Sequence, residues 1–128
     1  MTDEAVQQYL FAGSVTHLLV TNGDNLYHPN FFKDLIALDA DVATCDFTHE
    51  MLYKEVVLEE SHIDLGGTLY KADAIDEYAS SNAGPFFTAL GDFPSPRDYH
   101  DADFMLSNYI VQSGGSFEKT ENILFYHQ

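Results

Sequence analysis

The octapeptide Leu18-Leu19-Val20-Thr21-Asn22-Gly23-Asp24-Asn25 constrains this chain more than any other stretch. An apolar, β-branched run stops abruptly at small, polar and acidic residues. The run from Val15 to Thr21 is nearly unbroken, which is the pattern of a strand covered on both faces. Asp3 to Ala12 reads as a short amphipathic helix before it, with Gly13 at its C′ position. A helix, a turn and then a buried strand predict a layered α/β domain. In open α/β sheets ligands gather at the carboxyl ends of the strands. Asp24 is therefore a candidate ligand for a divalent metal. The same residues also suit an Asn-Gly hairpin turn with Asp24 merely solvated.

The residues after Asp24 argue against the hairpin. Pro29 suits a helix's first turn, and Asn30 to Leu38 carries Phe31, Leu35 and Leu38 at helical spacing. Asp41 to Phe47 is the next expected strand, in which Cys45 packs as a small apolar side chain. Tyr53 to Glu59 reads as a more exposed strand, and Ile63 to Tyr70 as another. In the latter, Asp64 stands between two apolar residues and Gly66-Gly67 interrupts the pattern. Glycine within a strand marks a bulge or a close backbone approach, either to a ligand or to a neighbouring element. Ala72 to Ala79 reads as a helix. Pro85 to His100 is a long aromatic loop, functional or a cover for the core. Asp101 to Ser113 is a last helix, and Phe117 to Gln128 a closing strand.

Composition narrows the function classes. The 128 residues suffice for one domain with a core, and 45% hydrophobic content argues against disorder despite a net charge of -16. Five basic residues face 21 acidic ones. Nucleic-acid binding rests on basic surface that releases counterions, so it is set aside, and anionic membrane surfaces with it. No apolar run is long enough for a membrane span, and the acidic N-terminus is unlike a signal peptide. A single cysteine rules out an internal disulfide and makes a reducing, cytoplasmic compartment the default.

Three features occur in a meaningful order: Asn22-Gly23-Asp24 at a strand end, Asp101-Ala102-Asp103 opening a late helix, and His127 after the terminal strand. Ala102-Asp103-Phe104-Met105-Leu106, with Gly114 downstream, completes the register. From about Val15 to Gln128 the chain resembles glycosyltransferases of the GT-A fold, family-2-like members in particular. The resemblance implies a mixed sheet flanked by helices, corresponding to the part of that domain from the Asp-x-Asp element onward. Asn22 replaces the first aspartate of that element. Only about fifteen residues precede Thr16, so the nucleotide-binding first half is absent from this 128-residue chain. The chain then reads as one partial domain that is a fragment, a shortened relative, or one half of a site completed by a partner.

The resemblance also assigns roles. Asp24 and His127 hold Mn²⁺ or Mg²⁺ against the diphosphate of a nucleotide-sugar. Asn22, Gly23, Gly66 and Gly67 contact the donor, and Tyr99 and His100 line the site of a hydroxyl-bearing acceptor such as a glycan. Asp103, with Asp101 second, is the general base of an inverting transfer. Capping alone also accounts for Asp101 and Asp103, which suit the positive end of a helix. The alternative reading is a non-catalytic GT-A-like module that binds metal or a protein partner. An acidic α/β interaction domain with no metal site is a third. If the first-half strands are missing, Val15 to Thr21 lies at an open sheet edge, which favours pairing with another chain.

Overall fold

A computed structural model describes residues 15–21, 23–59, 62–82 and 102–127. The expected N-terminal helix and the aromatic loop lie outside these residues, as do Asn22, Tyr99, His100 and Asp101. The described elements are β1 (His17–Leu19), β2 (Leu26–Tyr27), α1 (Phe31–Ala37), β3 (Val42–His49), β4 (Leu52–Lys54), a 3₁₀ turn (Leu65–Gly67), β5 (Thr68–Lys71), α2 (Ala72–Asn82), α3 (Ala102–Gln112) and β6 (Phe117–His127).

The six strands make one mixed sheet in the order β1-β5-β3-β6-β2, with β4 attached to β3 as a hairpin. β1 is antiparallel to β5, and β5 is antiparallel to β3. β3 is parallel to β6. Hence β1, β3 and β6 all point the same way and end at the same edge of the sheet. The start of β5 lies at that edge too, because β5 runs in reverse.

Alternation along the strands divides the core into two layers. Val42 and Tyr70 pack on one face with Ile75 of α2 and with Leu106 and Ile110 of α3. Tyr70 keeps its hydroxyl satisfied there by Ser107 Oγ at 2.9 Å. Ala43, Cys45, Leu69, Leu124 and Phe125 pack on the other face beneath Phe31 and Leu35 of α1. Full burial pushes the Cys45 thiol up to about 12, so it stays protonated at neutral pH.

The strand expected over Val15 to Thr21 is shorter and less buried than its apolar content implies. Only His17 to Leu19 pair, and all three are half-buried. Leu18 reaches the layer of α2 and α3, whereas Leu19 reaches the layer of α1, so both faces are covered. Among the described residues β1 pairs with β5 alone, which makes it an edge strand. β2 pairs with β6 rather than with β1, so β1 and β2 do not form the hairpin that an Asn-Gly turn would close.

Two other strand boundaries move for identifiable reasons. The ribbon expected over Tyr53 to Glu59 keeps its ladder only as far as Lys54. Beyond it the Val56 N–H donates to the buried Asp46 carboxylate at 2.9 Å instead of to a neighbouring strand. The strand expected from Ile63 begins at Thr68. Asp64 caps a 3₁₀ turn there, its Oδ1 accepting from the Gly66 N–H at 2.7 Å.

Asp46 ties three segments together. Besides the Val56 N–H, its carboxylate accepts from the Tyr53 hydroxyl and from Lys119 Nζ at 3.1 Å. Burial pushes the Asp46 carboxyl upward, but the hydrogen bonds from Tyr53 and Val56 and the Lys119 ammonium outweigh it and hold it below the usual aspartate value. The same contact pushes the Tyr53 hydroxyl up to about 12. Removing the carboxylate strands a buried N–H and a cation, so Asp46→Ala should cost roughly 3 kcal/mol in denaturant unfolding. Because Asp46 is depressed in the folded state, its contribution is complete above the ordinary aspartate range. It fades as pH falls through the lower folded value. Wild type should therefore lose more stability than Asp46→Ala on acidification below about pH 4.

Candidate functional site

The convergence of β1, β3, β6 and the start of β5 on one edge builds a cleft. It holds about 340 Å³ and is lined by Thr21, Asn25, Asp64, Gly66 and His127, with Val20 and Leu65 behind them. These residues come from three separate parts of the chain. The loop after β1 brings Thr21 and Asn25, where Asn25 Nδ2 donates to Thr21 Oγ1 at 3.3 Å. The 3₁₀ turn brings Asp64 and Gly66, and the end of β6 brings His127.

Tyr27 locks the turn against β2. Its hydroxyl donates to the Gly66 carbonyl at 2.7 Å, and its ring packs on Phe125. Thr44 Oγ1 donates to the Gly67 carbonyl at 3.0 Å from below. The two glycines make the close approach their sequence position foretold. A Cβ on Gly66 would meet Asn25 Nδ2 at 2.8 Å and Asp64 Oδ1 at 3.0 Å. One on Gly67 would meet the Phe125 ring at 2.8 Å. The neighbour that demands Gly67 is thus an aromatic side chain of the core, while Gly66 also borders the cleft.

His127 stands at the centre of the edge. Its Nδ1 lies 2.6 Å from Asp64 Oδ2. The carboxylate is off the N–H axis, and this buried nitrogen has no aligned hydrogen-bond partner among the described residues. The imidazole also meets His49 edge-to-face, with ring centroids 4.7 Å apart. That contact follows from register, because His49 and His127 are direct neighbours across the parallel β3–β6 pair. On its far side His127 borders an apolar groove of about 450 Å³ flanked by Leu26, Met51 and Tyr126.

Of the residues expected at the site, Gly66 and His127 meet in the cleft. Gly23 and Asp24 are exposed in the loop that leads into Asn25. Gly23 adopts φ +86, the left-handed conformation that glycine accepts without strain. Asp103 belongs to the first turn of α3. Among the described residues no group of three or more His, Cys, Asp or Glu side chains is arranged to hold a metal. What the edge does offer is one carboxylate oxygen and one imidazole nitrogen side by side, a donor pair suited to Mn²⁺.

Asp64, Asn25 and His49 enter the site without having been assigned to it from sequence. A signal existed for Asp64, an aspartate set between Ile63 and Leu65 just before a glycine pair. For His49 none did, since only the strand pairing sets it against His127.

A concavity at the opposite edge, lined by Asp41, Asp73 and Glu77, is structural in part. Asp41 Oδ2 accepts from the Ser116 N–H at 2.9 Å and so fastens the start of β6 to the start of β3. No helix among the described residues is long and apolar enough to cross a membrane. The chain matches no protein-family model and no curated protein.

The packing at the turn has a measurable consequence. Gly67→Ala must displace the buried Phe125 ring, an overpacking that should cost about 1–3 kcal/mol in thermal or denaturant unfolding. An unchanged melting midpoint would mean that Phe125 yields freely.

Proposed function

We propose that this chain is the acceptor-side part of a GT-A glycosyltransferase, moving a sugar from a nucleotide-sugar to a hydroxyl with inversion. One observation carries the reading. The loop holding Asp24, the Gly66 turn and His127 are far apart in sequence, yet they meet at the carboxyl edge of a mixed α/β sheet, where such folds place ligands. The order of features along the chain supports it as well, from Asp24 in the loop after β1 through Asp103 in the first turn of α3 to the terminal histidine.

On this reading Asp24 and His127 are the protein ligands of Mn²⁺ or Mg²⁺. Bound there, the ion supplies Lewis-acid neutralisation of the departing diphosphate. The remaining work belongs to the chain's own residues. Gly66 lets the backbone approach the donor, with Asn22 and Gly23 beside it, while Gly67 holds the turn against Phe125. Asp103, with Asp101 second, accepts the proton of the acceptor hydroxyl as its oxygen attacks the anomeric carbon and the bond to the diphosphate breaks. Tyr99 and His100 complete the acceptor side.

Among the described residues the outer flank of β1 is unpaired, which fits a nucleotide-binding half that adds strands there, from further chain or from a partner. A second copy of this chain is an equally natural cover for it. Sedimentation at rising concentration should then show self-association, whereas a monomer throughout would argue against pairing at β1.

Calorimetry tests the enzyme directly. Mn²⁺ should bind, and a nucleotide-sugar should bind in its presence. Asp103→Asn should abolish transfer, by about 10²–10⁴-fold or more, with donor binding intact. Metal binding without any donor binding or transfer would support the non-catalytic module instead.

A further inference from the structure

We propose that Asp64 Oδ2 and His127 Nδ1 are adjacent ligands of one divalent cation, which makes Asp64 a metal ligand at the cleft. The inference deepens the proposed function and rests on its metal-binding cleft, but it concerns a carboxylate to which that reading gives no role.

The geometry of the pair is unusual for two groups left to themselves. A carboxylate oxygen and an imidazole nitrogen lie 2.6 Å apart, and the nitrogen is buried without an aligned hydrogen bond among the described residues. Two lone-pair atoms this close repel unless a proton or a cation lies between them. A proton requires the oxygen to sit along the N–H axis, and here it does not. A cation does not need the oxygen on that axis: it sits on the imidazole axis itself, with the oxygen beside it as a second ligand. Neighbouring ligands on a small divalent ion, each about 2.1 Å from it at right angles, stand about 3 Å apart. The observed spacing is a slightly closed version of that bite.

The surroundings hold both donors in place. Asp64 Oδ1 is committed to the Gly66 N–H at 2.7 Å, so the carboxylate is fixed and only Oδ2 is left for a cation. The imidazole packs against His49 and the ring of Phe125, at centroid distances of 4.7 and 6.0 Å, which restricts its rotation. Asp64 and His127 both line the cleft, and it is from that side that water or phosphate oxygens would complete the coordination. Ions of this class are commonly bound by one or two carboxylates plus substrate phosphates. The imidazole nitrogen favours a transition ion, so Mn²⁺ should bind more tightly than Mg²⁺.

The test uses the whole chain and Mn²⁺ alone, read through the NMR signals of the histidine rings. In so acidic a protein bulk metal uptake would be uninformative, whereas paramagnetic broadening is local. The His127 ring signal, identified by its loss in His127→Gln, should broaden first, and His49 with it. Asp64→Asn and Asp64→Ser both keep an acceptor for the Gly66 N–H, so the turn survives while the ligating oxygen is lost. In each, the Mn²⁺ concentration needed to broaden His127 should rise by at least about tenfold, the lower bound seen when even outer partners of a metal ligand are removed. Wild-type broadening at wild-type concentrations in both variants would overturn the proposal, as would no broadening of His127 in the wild-type chain. Because no donor is present, failure here and failure of the glycosyltransferase reading are separable. Asp64-dependent Mn²⁺ binding in a chain that transfers no sugar upholds this inference and removes the other. Asp64-independent binding in an active chain does the reverse.

Discussion

The parallel pairing of β3 with β6 is the constraint on which the rest of the molecule depends. It joins residues more than seventy positions apart, from Val42 with Phe117 to His49 with His127. Parallel neighbours cannot be closed by a tight turn, so the intervening chain must cross over, and it supplies β5, α2 and α3 on the way. The register slips between Cys45 and Phe47, where β6 runs on from Thr120 to Phe125. Only after that irregularity do the two histidines come level. A different slip would carry the imidazole of His127 away from Asp64 and leave the cleft without its nitrogen.

Polar contacts then hold the pairing in place, one of them centred on the buried Asp46. Lys119 from β6 reaches Asp46 in β3, and Tyr53 and Val56 close around the same carboxylate. At the other end of the strands Asp41 grips Ser116 through both its backbone N–H and its hydroxyl. These contacts lie away from the cleft, so among the described residues Asp64 and His127 form no ion pair with a lysine. Lys71 is likewise engaged elsewhere, with Asp39 at 2.8 Å on the surface. With Lys71 and Lys119 engaged elsewhere, the carboxylate at the cleft keeps a negative local field.

Element types were legible in the sequence where the pattern was long and periodic. α1, α3, β3 and β6 fall within a residue or two of the positions their apolar spacing implies. The misjudged boundaries share a cause. At Glu55 to Glu59 and at Ile63 to Gly67, side-chain carboxylates take over backbone N–H groups that a strand ladder would otherwise satisfy. Asp46 and Asp64 do this from within the fold, and apolar periodicity carries no trace of it. β2 is only Leu26–Tyr27 and is held by β6 across the sheet, so no local pattern announced it.

By itself the sequence determined the mixed α/β class and the need for glycine at 66 and 67. Both rest on local chemistry: apolar periodicity and the absence of a Cβ. Only the tertiary structure decided which polar groups face one another. Strand direction and register are long-range properties, and they set His127 against Asp64 and His49. The carboxyl edge of the sheet became a place with its own chemistry only when the chain closed on itself.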